Sequence, residues 1–154
     1  MRIARSDDEL ENAFLQARAE SLSCFNDGSL YMEKLVENPR HIEVQVLGDE
    51  HNNHVHLFER ECSIQRNNQK MIEEAPVANI SQETKDKLYE AAINACKQIN
   101  YANAGTIEYI MDEDENFYFI EMNTRIQVEH PITEMITGID LIKQQILIAQ
   151  NQKL

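Results

Sequence analysis

The spacing of hydrophobic residues along the chain predicts two long helical segments in its first hundred residues. Ser6 and Glu9 have the S-x-x-E spacing of a capping box, and hydrophobic residues then recur at helical intervals, which predicts a helix over residues 7–23. Ser81 is a suitable N-cap for a second helix, in which hydrophobic residues line one face as far as Ile99. Gly105 is expected to end that region.

Strict alternation of hydrophobic and polar residues predicts two β-hairpins. The first pairs residues 41–47 with 54–60 across a polar turn, and the second pairs residues 106–111 with 117–122 across an acidic turn. Residues 30–36 form a candidate short strand.

The remaining segments complete the predicted order of elements. Residues 61–76 are polar and have no sustained period in their first ten residues, which indicates a loop that leads into a short extended piece. Pro131 suits a first helical turn, Gly138 suits a helix stop, and Asp140 suits the N-cap of a last helix over 141–150. Helices and strands in this order predict one domain of the α+β class with a largely antiparallel sheet.

Charge and composition limit the classes of partner. Twenty-seven acidic and fourteen basic residues give a net charge of -13, which argues against a nucleic-acid or membrane surface as the main partner. The chain contains no apolar run of transmembrane length and no signal-peptide core, so we expect a cytosolic protein. The three cysteines, Cys24, Cys62 and Cys96, contain no CxxC pair and are each expected to be a small buried thiol.

One segment, FIEMNTRIQVEHP at residues 119–131, has an unusual polar pattern. If it is extended throughout, alternate side chains share one face of the strand. The polar residues on that face are Glu121, Asn123, Arg125, Gln127 and Glu129. A half-buried strand with one solvated face remains an alternative, although solvated faces favour Thr, Lys and Ser over this mixture of carboxylate, amide and guanidinium.

The second hairpin also predicts a pair of opposed carboxylates. The predicted register of this hairpin places Glu108 opposite Glu121 and Thr106 opposite Asn123, with neighbouring Cβ atoms ~5 Å apart. Repulsion between the two carboxylates is relieved by bulk water, by protonation of one of them, or by a bound cation. Two carboxylates and an amide oxygen would suit Mg²⁺ or Mn²⁺. The pattern is compatible with a solvated pair, with a protonated carboxyl and with a metal site.

Further along the same polar row, two side chains have properties that suit oxyanion chemistry. The guanidinium of Arg125 can bind a planar oxyanion through two hydrogen bonds, and the carboxylate of Glu129 can act as a general base. Gln65, Arg66 and Lys70 could donate hydrogen bonds to an anion, as could any polar surface segment.

Three segments closely resemble the ATP-grasp domain of biotin carboxylase, which acetyl-CoA, pyruvate and propionyl-CoA carboxylases share. They are YMEKLVENPRHIEVQVLGD, ERECSIQR…QKMIEEAP and FIEMNTRIQVEHPITEMITGIDLIKQQI. The resemblance covers essentially the whole chain and implies the ATP-grasp fold, a ligase activity and ATP with Mg²⁺ or Mn²⁺ as cofactors. ATP would phosphorylate bicarbonate to carboxyphosphate, and the CO₂ released from it would carboxylate N1 of biotin. The implied partners are bicarbonate, biotin or a biotinylated carrier protein, and the rest of a carboxylase.

The resemblance also implies roles for individual residues. The residues at ATP-binding positions are Glu33, Lys34, Leu35, Val36, His41, Gln65 and Asn68. The residues at metal positions are Glu108, Glu121 and Asn123. The residues at bicarbonate positions are Lys70, Arg125, Gln127 and Val128, the last through its backbone. The implied catalytic residues are Lys70, Arg125 and Glu129, where Glu129 removes the bicarbonate proton.

The chain differs from the family pattern in two respects. In QRNNQK, Asn67 and Asn68 stand where Arg and His are usual, so Asn68 would contact phosphate through a hydrogen bond without charge. The family's N-terminal domain, Gly-rich lid and C-terminal domain have no counterpart in residues 1–154, so we expect a partial ATP-grasp domain. The alternatives are a non-catalytic module that binds nucleotide or a carboxylase partner, and an ATP-grasp ligase with another acceptor.

Overall fold

The computed structural model describes residues 1–67 and 69–154, and these form two compact units. The first unit is Met1–Leu35 and the second is Val36–Leu154. The first unit contains helix α1 (Asp7–Phe25). The elements described in the second unit are strands β1 (Arg40–Gly48), β2 (His54–Arg66), β3 (Gln69–Glu74), β4 (Asn103–Met111) and β5 (Phe117–Asn123), and helices α2 (Gln82–Gln98), α3 (His130–Thr137) and α4 (Leu141–Ala149). Among these helices, none combines the length and the apolar character needed to cross a membrane.

Helix α1 confirms the predicted helix but not the predicted capping box. The side chain of Ser6 accepts no capping hydrogen bond, whereas the carboxylate of Glu9 accepts one from the backbone N–H of Arg5 at 2.9 Å. At the other end, Asn26 adopts the left-handed conformation (φ 55°) and donates its N–H to the carbonyl of Leu22 at 3.0 Å.

Two other predictions for the first unit and its end are wrong. Residues 27–39 contain no strand, although residues 30–36 have a strand-like composition. An extended segment becomes a strand only when a neighbouring strand accepts its hydrogen bonds, and here none does. Cys24 is exposed, while Cys62 and Cys96 are buried as predicted.

The second unit is built on one antiparallel sheet with the strand order β3-β2-β1-β4-β5. Both predicted hairpins are present, as β1–β2 and β4–β5. The loop predicted for residues 61–76 is wrong, because β2 continues to Arg66 and pairs with β3. This pairing places Gln65 opposite Lys70. Gly105 lies inside β4 and ends no helix, and an added Cβ there would lie 2.8 Å from the ring of Tyr101.

Helix α2 covers one face of the sheet and forms the larger hydrophobic core with it. Ser81 caps this helix as predicted, since its hydroxyl accepts the N–H of Thr84 at 3.2 Å. Leu88, Ala92 and Cys96 of α2 are fully buried. They pack against Ile42, Val44, Val46, Val77, Ile107, Tyr109 and Met111.

The opposite face of the sheet contains a smaller apolar cluster and a set of buried polar side chains. The cluster combines Leu141 and Ile148 of α4 with residues of the sheet. Gly138, in the left-handed conformation, ends α3, and the Asp140 carboxylate caps α4, both as predicted. The buried polar residues are Glu43, Gln45, Arg60, Thr106 and Glu108.

A β-bulge in β2 determines which of its side chains reach each face. Leu57 and Phe58 together oppose one residue of β1, and Phe58 has a positive φ of 65°. Beyond the bulge, Glu59 pairs with Val44 and Arg60 pairs with Glu43. The bulge therefore directs Glu59 toward α2 and Arg60 toward the polar face.

Candidate active site

The opposed carboxylates of the second hairpin lie in the predicted register. Glu108 pairs with Glu121, and Thr106 pairs with Asn123. Nearer the turn, Met111 pairs with Phe117, whereas the same register would place Met111 opposite Tyr118. The extra residue Ile120 of β5 compensates for the difference, because a bulge shifts all pairs beyond it by one residue.

The polar row does not continue as one strand. Strand β5 ends at Asn123, and residues 124–129 are irregular before α3 begins at His130. Gln127 and Glu129 turn inward and are only 7% and 9% exposed, whereas Val128 is 92% exposed. The prediction of a single alternating face is therefore wrong beyond Asn123, because the last part of the row reaches the sheet through a turn.

Lys70 of β3 joins carboxylates from three other segments of the chain. Its Nζ lies 2.5 Å from Glu43 Oε2, 2.7 Å from Glu108 Oε1 and 2.6 Å from Glu129 Oε1. Burial by itself lowers the pKa of Lys70, but the three carboxylates, with Glu43 first, raise the pKa above its ordinary value. The side chain therefore remains a cation at the centre of the site.

Glu108 is the most heavily contacted of these carboxylates. Besides Lys70, its Oε1 accepts the amide N–H groups of Asn123 and Gln127, each at 2.9 Å. Burial favours the neutral acid, but the contacts with His41, Lys70 and Gln127 lower the Glu108 pKa to about 2. Glu108 is thus ionised at neutral pH.

His41 of β1 completes the cluster on the other side of Glu108. Its Nε2 lies 3.0 Å from Glu108 Oε2 without hydrogen-bond geometry, so the attraction is that of an ion pair. Burial lowers the pKa of His41, but Glu108 and Glu43 outweigh burial and raise the pKa to about 9. The side-chain amide of Gln65 lies 3.2 Å from His41 Nδ1.

Two residues of this site, Glu43 and Arg60, were missed by sequence reasoning. Glu43 is fully buried and joins Arg60 (2.5 Å) to Lys70 (2.5 Å) through its two carboxylate oxygens. Burial raises the pKa of Glu43, but His41, Arg60 and Lys70 lower it to about 2. The alternation of Ile42 and Val44 could have indicated Glu43, since it places this side chain on the face opposite the core. Arg60 could not have been found this way, because the bulge interrupts the alternation of β2.

The predicted metal ligands lie together and offer oxygen atoms. The amide nitrogen of Asn123 lies 2.9 Å from Glu108 Oε1 and 3.5 Å from Glu121 Oε1, so the three side chains are neighbours. Carboxylate and amide oxygens suit Mg²⁺ and Mn²⁺. Glu43 is a further candidate, since ligand atoms of His41, Glu43 and Glu108 lie within 4.8 Å of one another. The carboxylates of Glu108 and Glu121 therefore suit a divalent cation as they stand, and the Asn123 oxygen would join them after rotation of its amide, since its nitrogen faces them here.

The remaining predicted residues differ in how they relate to this cluster. Arg125 is exposed, and its guanidinium donates to the amide oxygen of Asn123 at 3.3 Å. Glu33, Lys34 and Leu35 are exposed, irregular residues at the end of the first unit, and Val36 begins the second unit. Asn68 lies outside the described residues. The predicted site residues brought together by direct contacts are His41, Gln65, Lys70, Glu108, Glu121, Asn123, Arg125, Gln127 and Glu129.

Comparison with known families identifies the domain to which this site belongs. The family model described as carbamoyl-phosphate synthase L chain, ATP binding domain, matches residues 1–154. The chain belongs to this family. It is 55% identical over 154 residues to the methylcrotonoyl-CoA carboxylase subunit alpha, mitochondrial, of Rattus norvegicus, and these residues are all of this chain and 22% of the rat protein.

Solved structures of similar sequence share the fold. The biotin carboxylase–β-γ-ATP complex from Campylobacter jejuni is 49% identical with a TM-score of 0.89, covering 100% of this chain and 34% of that one. The biotin carboxylase domain of Hydrogenobacter thermophilus 2-oxoglutarate carboxylase, in complex with MgADP, ADP and bicarbonate, is 52% identical with a TM-score of 0.86, covering 99% and 34%. The predicted α+β fold of biotin-carboxylase ATP-grasp type is therefore confirmed, and the chain spans about a third or less of the length of these relatives.

Proposed function

We propose that this chain supplies the metal, nucleotide and bicarbonate half of a biotin carboxylase site. In the complete reaction, ATP phosphorylates bicarbonate to carboxyphosphate, which yields CO₂ and phosphate, and the CO₂ carboxylates N1 of biotin. The observation that carries the proposal is the Lys70 ammonium, which is held among three carboxylates beside the Glu108–Glu121 pair. The Hydrogenobacter relative, which has MgADP and bicarbonate bound, supports this assignment.

Bicarbonate would bind at the end of the site where cations and amide donors converge. Arg125 and Lys70 provide the two positive charges, and the Gln127 amide and the Val128 backbone N–H provide neutral donors. Glu129 contacts Lys70 at 2.6 Å and would accept the bicarbonate proton as general base. Deprotonated bicarbonate is the better nucleophile toward the terminal phosphate of ATP, and Arg125 would hold the carboxyphosphate that forms.

The nucleotide and its metal would bind at the other end. Glu108, Glu121 and Asn123 would hold Mg²⁺ or Mn²⁺, which neutralises phosphate charge during phosphoryl transfer. Within the second unit, the proposed contacts to the nucleotide are Val36, His41 and Gln65. The carboxyl acceptor would be biotin, either free or on a carrier protein, and the rest of a carboxylase would complete the site.

The proposal can be tested by segment replacement in the Campylobacter jejuni enzyme, which this chain matches over its whole length. With residues 1–154 in place of the matching segment, we expect the chimera to retain bicarbonate-dependent ATP hydrolysis and biotin carboxylation. Arg125→Ala in the chimera should lower both rates by about 100-fold, because an oxyanion contact is lost. Arg18→Ala, which removes an exposed arginine of α1, is the control and should change neither rate. A folded chimera that hydrolyses ATP equally well with and without bicarbonate would refute the proposal.

The metal assignment can be tested on the 154-residue chain itself. Glu121→Gln should weaken Mn²⁺ binding about tenfold or more, because it replaces a charged ligand by a neutral one. Binding is measured by titration calorimetry or by the electron paramagnetic resonance of free Mn²⁺. Glu113→Gln removes an exposed carboxylate from the turn of the same hairpin and should leave the affinity unchanged. Equal affinities for the wild type and Glu121→Gln would exclude Glu121 as a ligand.

A further inference from the structure

Arg60 is a fully buried arginine beneath the site, and the proposed chemistry assigns it no step. It is 0% exposed. Its guanidinium makes one contact for each of its five N–H donors. The acceptors are Glu43 Oε1 (2.5 Å), Gln45 Oε1 (2.7 Å), Thr133 Oγ1 (2.8 Å), Thr106 Oγ1 (3.3 Å) and Gln127 Oε1 (3.5 Å). Arg60 thus connects β1, β4, α3 and the irregular segment that precedes α3.

The contact with Gln127 determines which way its side-chain amide points. The guanidinium of Arg60 can only donate hydrogen bonds, whereas the Glu108 oxygen that faces Gln127 also accepts from Lys70 and Asn123. Gln127 lies between them, with its oxygen toward Arg60 and its nitrogen donating to Glu108 at 2.9 Å. If the amide were reversed, its nitrogen would face the donors of Arg60 and its oxygen would face the carboxylate of Glu108.

The contact between Arg60 and Glu43 positions Lys70. Arg60 occupies one carboxylate oxygen of Glu43 and leaves the other to accept the Lys70 ammonium at 2.5 Å. Through Thr133, Arg60 also contacts the helix that begins directly after Glu129. Arg60 therefore holds one neighbour of Lys70, which is Glu43, and one neighbour of Glu108, which is Gln127.

We propose that Arg60 is a positioning residue of this site, acting through Glu43 and Gln127 on Lys70 and Glu108. The inference rests on the proposed function, since it assigns Arg60 a role in holding the bicarbonate and metal positions. The planar guanidinium with five donors is essential to this role, because a lysine ammonium has three donors and cannot reach all of these acceptors at once. A purely structural buried arginine would stabilise the fold without setting the geometry of the site.

The test is Arg60→Lys in the 154-residue chain, which keeps the charge beside Glu43. Arg40 provides a matched control, because it forms a two-point ion pair with Glu61 in the same sheet (3.0 and 2.6 Å) outside the site. We expect Arg60→Lys to speed hydrogen exchange of the Gln127 side-chain amide and to weaken Mn²⁺ binding by about tenfold, as loss of supporting contacts around a metal does. Arg40→Lys should change neither quantity.

The possible outcomes separate this inference from the proposed function. If Arg60→Lys leaves both the Gln127 exchange rate and the Mn²⁺ affinity unchanged, Arg60 is not a positioning residue, and the proposed function stands. If the wild-type chain shows no Glu121-dependent Mn²⁺ binding, the metal part of the proposed function fails, and the Gln127 exchange rate still decides the role of Arg60.

A second variant covers the case in which Arg60→Lys does not fold. Thr133→Val keeps the guanidinium and removes its acceptor on α3, with little change of shape. It should also speed exchange of the Gln127 amide, by a smaller factor. An unchanged exchange rate in a folded Thr133→Val chain would overturn the inference.

Discussion

At Gly48 the chain leaves no room for a side chain. A Cβ at this position would lie 1.9 Å from the carbonyl oxygen of Tyr101, and the same carbonyl lies 3.1 Å from His54 Nε2. Gly48 therefore permits a close approach between the end of β1 and the segment before β4. Such a contact depends on tertiary packing, and the sequence around Gly48 indicates only a turn.

Gly48→Ala is expected to destabilise the second unit by roughly 1–3 kcal/mol or more, because backbone atoms must move to admit the methyl group. Urea denaturation followed by circular dichroism measures the effect. Gly28→Ala is the control, since a Cβ there would meet only flexible side-chain atoms of Leu22 and Arg18 at 3.1–3.3 Å. The two variants should differ clearly, and equal stabilities would contradict the proposed steric role of Gly48.

At the scale of elements, the bulge in β2 divides buried charge between the two faces of the sheet. Glu59 accepts the Lys85 ammonium at 2.8 Å, the backbone N–H of Val77 at 3.0 Å and the hydroxyl of Tyr89. Burial raises the pKa of Glu59, but Lys85, Tyr89 and Val77 outweigh burial and lower the pKa below its ordinary value. Glu59 is therefore an ionic link between β2 and α2, while Arg60 holds the site on the other face.

The ion pair between Glu59 and Lys85 predicts that the effect of Glu59→Gln on the free energy of unfolding depends on pH. Because the folded-state pKa of Glu59 is lowered, its ionisation stabilises the fold fully above the ordinary value of 4.5, and this contribution is lost as the pH falls through the folded-state pKa. Glu59→Gln should thus cost roughly 3 kcal/mol at pH 7, and the difference from the wild type should shrink below pH 4.5.

Denaturant unfolding at several pH values measures this difference. Glu83→Gln, which breaks the exposed pair with Lys87, is the control and should have no measurable effect at any pH. A Glu59→Gln cost that is the same at pH 7 and at pH 3 would show that ionisation of Glu59 contributes nothing.

At the scale of the whole molecule, one sheet separates an apolar core from a polar site. The larger core lies against α2, and the opposite face buries charged groups that compensate one another. Lys70 and its carboxylates come from four separate parts of the sequence, and all of them lie in the second unit. The chain carries a net charge of -13, yet within the site cations and carboxylates are matched.

The sequence by itself determined the features that depend on local periodicity and capping. Local patterns predicted the helices after Ser81 and Asp140, the end of α3 at Gly138 and both hairpins, because capping and hydrophobic periodicity act over a few neighbouring residues. The pairing of Glu108 with Glu121 was predicted correctly, but it depends on the bulge at Ile120, since an unbroken ladder from Met111 and Phe117 would place Ile120 opposite Glu108. The resemblance to biotin carboxylase was confirmed, because the matching segments extend over the whole chain.

Only the tertiary structure decided how those residues meet. Residues 61–66 extended β2 and residues 69–74 formed β3, because pairing between the two strands supplied hydrogen bonds that an aperiodic sequence does not predict. Bulges at Phe58 and Ile120 set which face each side chain occupies, and a turn brought Glu129 to Lys70. Buried charges such as Arg60 are stable only when several distant segments supply their partners, and no local pattern records that convergence.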